Sequence, residues 1–163
     1  MNTSSKAGWI VAGILAIALG GMSYVFLIKG QTAPYADGRV SVLLTSAERN
    51  AELASMRGIL ESVQGIIENA AAGDYKTASE LASAQGMSAF NQEDPAVVGK
   101  LPAGFKSLGI GQRTAFDDLA SFLETTDNAQ DVMDEISTMM LNCVACHQAY
   151  RLGIEGEQNP IQE

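Results

Sequence analysis

The segment LNCVACHQAYR, residues 141 to 151, holds both cysteines and the only histidine of the 163-residue chain. Cys143 and Cys146 stand three positions apart, and His147 follows Cys143 by four. On a helix those separations share one face, so the three side chains project into one groove. C-x-x-C-H at this spacing is the attachment signal of haem c. The chemistry needs these residue types in this order. Two thiols add across the two vinyl groups at one edge of the porphyrin, and the adjacent imidazole becomes an axial ligand of the iron.

Other uses of the cluster fit less well. A structural zinc site takes four ligands, and only three soft or nitrogen ligands exist here, so a carboxylate would have to complete it. A thioredoxin-like pair sits at a helix N-terminus after a strand, whereas these cysteines end a long helical pattern. A disulfide between positions three apart in a helix is strained. Two cysteines and a histidine buried without a cofactor are the plain alternative. No second histidine competes for iron, which excludes bis-histidine ligation within one chain and leaves the sixth position to Met, a weaker ligand, water or nothing.

Seven methionines are available. Met133, Met139 and Met140 share the helix of His147, while Met22 falls in an N-terminal apolar stretch and Met87 in an irregular one. Met56 lies on the apolar stripe of another helix, so it is the methionine placed to face iron from the opposite side. It is a candidate distal ligand or a pocket-lining residue, with Leu53 and Leu60 as its apolar neighbours.

The elements that must position these groups are read from periodicity. From about Arg39 to Ala72 the pattern is helical: Leu53, Met56, Leu60, Val63 and Ile67 recur at spacings of three and four. Gly73 stops it and Asp74 caps a shorter helix over DYKTASELASAQ. The stretch from Gly86 to Gly111, with two prolines, predicts a long irregular connection with a helical turn inside it. A third helix runs from about Gln112 to Glu124. A fourth follows from Thr126 and Asp127, with Val132, Ile136, Met140, Cys143, His147 and Tyr150 as its stripe. No stretch alternates convincingly with period two. The expectation is an all-α fold, an antiparallel four-helix bundle preceded by a single transmembrane helix.

That transmembrane segment is explicit. No charge occurs from Ala7 to Ile28, and 22 helical residues span roughly 33 Å, enough for the ~30 Å hydrocarbon core. An uncleaved anchor competes with a cleaved signal peptide, for which Ala18-Leu19-Gly20 would serve as the site, and with a buried core helix. Lys6 and Lys29 flank the stretch evenly, and the short segment Met1 to Lys6 favours the N-terminus inside and the rest outside the cytoplasm. The expected divisions are 1–29 anchor, 30–38 linker, 39–152 four-helix haem c domain and 153–163 C-terminal tail. All 19 acidic residues lie at Asp37 or later, against eight of the ten Lys and Arg. So acidic a surface repels phosphates, which excludes nucleic-acid binding and suits a basic partner or plain solubility.

With C-x-x-C-H near the end of the last helix, extended as CVACHQAYR, the sequence resembles class II c-type cytochromes, the family of cytochrome c′ and its low-spin relatives. The resemblance covers about Arg39 to Arg151 and is specific at the C-terminal motif. It implies that Cys143 and Cys146 hold the haem, that His147 is the proximal ligand, and that Arg151 lies beside the proximal face. It places Met56 where low-spin relatives ligate iron and cytochrome c′ crowds an open site. Glu52 stands about one turn before Met56, where the family often has a basic residue, and the anchor departs from the usual soluble periplasmic members. Tyr150 is expected in the core, its hydroxyl at the edge.

These features imply a membrane-anchored monohaem c-type cytochrome in periplasmic one-electron transfer, serving redox partner proteins and not acting as an enzyme. A five-coordinate haem protein binding NO or CO is the alternative. A third is an accessory subunit of a larger redox complex; a homodimer also fits the family. Peroxidase chemistry lacks a distal histidine to move protons.

Overall fold

A computed structural model of the protein describes residues 3–157. The part of the expected C-terminal tail at 158–163 and the first two residues lie outside the described residues. Helix α1, Thr3–Tyr24, runs on through a π-helical turn at Val25–Lys29. The apolar stretch Gly8–Lys29 has mean hydropathy 2.2 and none of it is buried, so it is long and apolar enough to cross a membrane. Gly30, in the left-handed region at φ 63°, ends it and donates its N–H to the Val25 carbonyl at 2.9 Å.

The rest is mostly helical, but not all-α. Strands β1, Thr32–Pro34, and β2, Val40–Leu44, pair antiparallel with Thr32 opposite Val42. A tight turn joins them, with Gly38 at φ 85°. Strand β3, Tyr150–Ile154, lies parallel to β2 with Tyr150 opposite Val40, giving the order β1-β2-β3. The expected linker 30–38 therefore contains a strand, and the expected helix does not begin at Arg39.

Helix α2, Ser46–Ala71, begins where Thr45 and Glu48 form a capping box: the Thr45 N–H donates to Glu48 Oε2 at 2.8 Å and the Glu48 N–H to Thr45 Oγ1 at 3.3 Å. Asp74 caps α3, Tyr75–Ser83, by accepting from the Thr77 N–H. The stretch expected to be irregular carries α4, Met87–Phe90, and α5, Pro95–Lys100, the latter with Asp94 as its cap and Pro95 at its first position. Helix α6 is longer than expected, Ala103–Leu123, and α7 runs Ala129–Ala149 behind Asn128.

Two cores result. The larger draws Val63, Ile66 and Ala70 from α2, Ala78 and Ala82 from α3, Phe116, Leu119 and Leu123 from α6, and Val132, Ile136 and Met139 from α7. The smaller joins Val42 and Leu44 of β2, Leu152 of β3 and Leu101 at the end of α5, with Leu53, Met56, Phe105 and Tyr150 packed against it. Met139, not Met140, is the buried methionine of α7; Met140 is 39% exposed. The sheet thus closes the end of the helical layer at which α7 stops.

Candidate functional site

His147 lies in the last turn of α7, two residues before its end. The helix stops because the chain turns extended at Tyr150 (φ −129°, ψ 157°) and pairs with β2. Tyr150 and Arg151 are therefore strand residues, not a further helical turn. The Arg39 guanidinium, held to Asp37 at 2.7 Å, donates to the His147 carbonyl at 3.4 Å and ties the start of β2 to the end of α7.

Cys143, Cys146 and His147 line a single cavity of about 460 Å³ between α2, α5, α6 and α7, with Met56 and Leu60 of α2 on the same wall system. Its lining is mainly apolar and includes Ile59, Val63, Phe90, Val97, Phe105 and Leu108. A second, smaller cavity of about 150 Å³ shares Met56, Phe105, Cys146 and His147 with the first and adds Arg39, Tyr150, Arg151 and Leu152. The structure so brings Met56 and Leu60 to the C-x-x-C-H cluster. It places Tyr150 and Arg151 beside His147 on the smaller side, and turns Leu53 into the core under β2. The Tyr150 ring meets Phe105 edge-on at 5.4 Å, and the Arg151 guanidinium sits 3.6 Å over the Tyr35 ring.

Several groups on these walls escaped the sequence-based expectation. The Cys143 thiol donates to Gln112 Oε1 at 3.4 Å, and the buried Gln112 Nε2 has no partner among the described residues. Arg113, also buried, donates to the Gln85 carbonyl at 3.0 Å and reaches Glu93 at 3.5 Å. Both residues fall at the point where a helix was expected to begin, so no periodicity marked them as inward. Phe90, Val97 and Phe105 lie in the stretch expected to be irregular; their apolar character was the available signal.

Electrostatically the site resists ionisation. Burial pushes the Cys143 thiol up, and burial together with Cys143 pushes Cys146 up, so both are protonated at neutral pH. Burial also raises Glu52, with Glu93 adding to the shift and Arg113 opposing it. Both cysteines are free.

These residues fit a haem. The cavity volume lies in the ~300–1,000 Å³ range of cofactor sites, its walls are apolar as a porphyrin face requires, and the two thiols and the imidazole border it from one helix. Met56 borders it from another. No family model, no curated protein and no solved structure matches the chain.

Proposed function

We propose that the protein is a membrane-anchored c-type cytochrome of the class II kind, carrying one haem c and passing single electrons on the periplasmic side of a bacterial membrane. One observation carries this reading: both thiols and the sole imidazole border one apolar cavity, with Met56 on a different helix bordering it too. Cys143 and Cys146 would hold the haem at its edge, and His147 would ligate the iron. The group supplies reversible one-electron chemistry when bound; the chain's own residues hold it, shield it from water and set its axial ligands.

The finer architecture belongs to the same proposal. Helices α2, α3, α6 and α7 form an antiparallel four-helix bundle, a reading supported by a core to which all four contribute. The apolar span at the N-terminus anchors that bundle, with the domain outside the cytoplasm.

The same apolar walls favour a second reading, uptake of NO or CO on a five-coordinate haem, in which Met56 only lines the cavity. The absorption spectrum of oxidised and reduced protein, produced with haem-attachment machinery and then exposed to CO, decides between them. Low-spin bands indifferent to CO are the expected result and mean Met ligation. High-spin bands that shift with CO would transfer the assignment to gas binding. Protein that never acquires covalent haem would overturn both.

A further inference from the structure

The apolar span is not joined to the domain by a free linker. Gly30 sits so close to the Lys100 carbonyl and the Pro102 nitrogen that a Cβ there would lie 2.5 Å from each. The next residue, Gln31, donates its N–H to the Lys100 carbonyl at 2.7 Å, and the Gln31 carbonyl accepts from Leu43 of β2 at 2.8 Å. Just before the span ends, the Phe26 ring packs against Gly99, where an added Cβ would be 3.2 Å from it. The Phe26 carbonyl accepts from Lys106 Nζ at 2.9 Å. The end of the span is thus seated on α5 and the start of α6, and Lys106 also lines the larger cavity.

Charge points the same way. No acidic residue occurs from Pro95 to Phe116. Of the three cations in that stretch, Lys100 is paired with Glu48 and Glu155 and Arg113 is buried beside Glu93, which leaves Lys106, whose ammonium donates to the Phe26 carbonyl near the end of the span. Lys29 closes the apolar span beside it. Ile110, on the same stretch of α6, is 40% exposed.

We propose that the face formed by α5 and the first half of α6 rests on anionic lipid headgroups, so that the seated span holds this wall of the cavity at the membrane surface. The proposal rests on α1 being a membrane anchor, but not on the haem. An acidic domain would otherwise stand off from such a surface, because headgroup phosphates repel its carboxylates; α5 and the first half of α6 carry no carboxylate of their own and meet the lipid beside Lys29 and Lys106. A rigid seat also fixes which side faces the lipid, whereas a flexible linker would let the domain tumble. Where the cavity holds the proposed haem, the same seat would bring it to headgroup depth, next to partners embedded in the same membrane.

The test is photo-crosslinking of the full chain in nanodiscs of phosphatidylcholine and phosphatidylglycerol doped with a diazirine lipid, the adducts mapped by peptide mass spectrometry. Adducts on Gly8–Ile28 and several times more on 95–110 than on 117–149 are expected. A variant with about twelve Gly and Ser residues inserted between Lys29 and Gly30, a reach of about 20 Å, keeps the Gly30 seat but frees the domain from the span. It should retain the adducts on the span and lose most of those on 95–110, with an unchanged far-ultraviolet circular dichroism spectrum. Adducts confined to the span, adducts spread evenly over the domain, or no change on insertion would overturn the proposal. No adducts on the span would overturn the anchor reading itself. Haem content, read from the visible spectrum of the same samples, reports separately on the cytochrome reading.

Discussion

The Cys143 thiol donates to the carboxamide oxygen of Gln112 at 3.4 Å, while the other end of that carboxamide is buried with no partner among the described residues. One side chain therefore holds a thiol of the cluster and carries an uncompensated donor on the cavity wall. Such a donor loses its hydration without recovering a protein hydrogen bond, a cost of about 1–3 kcal/mol. Gln112→Leu is expected to leave the haem-free protein as stable as before or more stable by about 1 kcal/mol, since the thiol bond it removes is weak. Urea unfolding of the haem-free variant checks this, and a loss of stability would mean that the amide nitrogen is satisfied in solution.

Phe116 has no exposed surface and packs in the core that unites α2, α3, α6 and α7. Truncation to alanine leaves a void that rigid neighbours close only in part, so Phe116→Ala should cost about 3–5 kcal/mol. Because the same core spaces α2 from α7, the variant should also retain less covalent haem. Chemical denaturation and the haem-to-protein absorbance ratio measure the two effects on one sample.

How much of this was legible in the sequence depends on the range of the signal. The C-x-x-C-H cluster is local, and the residues that separate its members need only one helix, so its convergence could be read directly. Met56 and Leu60 were found through their stripe on α2, which a helix of 26 residues makes unambiguous. The sheet was not legible. Val40–Leu44 is too short to establish period-two alternation, and its apolar residues merged with the helical run after it. The Thr-Ser-Ala-Glu pattern at Thr45–Glu48, a capping-box signature, marks the true helix start. Strand β3 depends on a partner more than a hundred residues away in sequence, which no window on the C-terminus contains. Gln112 and Arg113 were missed for a related reason: α6 starts nine residues before the expected Gln112, at Ala103 behind Pro102, so its inward face was not recognised.

Glu48 joins three elements, since it caps α2 and its carboxylate accepts from Lys100 Nζ at 2.7 Å, while Lys100 also reaches Glu155 beyond β3 at 2.8 Å. The Lys100 bond first, and the Thr45 backbone second, hold the Glu48 carboxyl below its ordinary value. A depressed carboxylate stabilises the fold above its unfolded pKa, and that contribution disappears as pH falls through the folded value. Glu48→Gln should therefore lower the melting temperature at pH 7, with the difference from the parent shrinking as pH is taken well below the ordinary glutamate range. Calorimetry across that range tests it; a constant difference would mean that the carboxylate acts through its shape and not its charge.

Glu52 behaves in the opposite sense. Burial, and then Glu93, raise its carboxyl, so the folded protein binds this proton more tightly than the unfolded chain does. The resulting stability is complete below the unfolded pKa and is lost as pH rises through the folded one. Above the ordinary glutamate range this carboxyl is a burden on the haem-free cavity, so Glu52→Gln should raise the melting temperature at pH 7 but leave it nearly unchanged near pH 4. A variant less stable at pH 7 would show that Arg113 outweighs burial.

Met56 borders both the larger cavity and the smaller one, as His147 does, while lying on a different helix. Substitution by alanine separates its two roles. As packing against the core under β2, its loss should cost about 2–3 kcal/mol, the lower part of the range for a methionine that is only half-buried. As a ligand, its loss should convert a low-spin haem to a high-spin one, lower the reduction potential because thioether ligation favours the ferrous state, and open the iron to CO. Met56→Leu keeps the apolar volume and removes the sulfur, so it should spare most of the stability yet produce the same spectral change. A leucine variant with the parental spectrum would mean that this methionine packs against the haem without binding its iron.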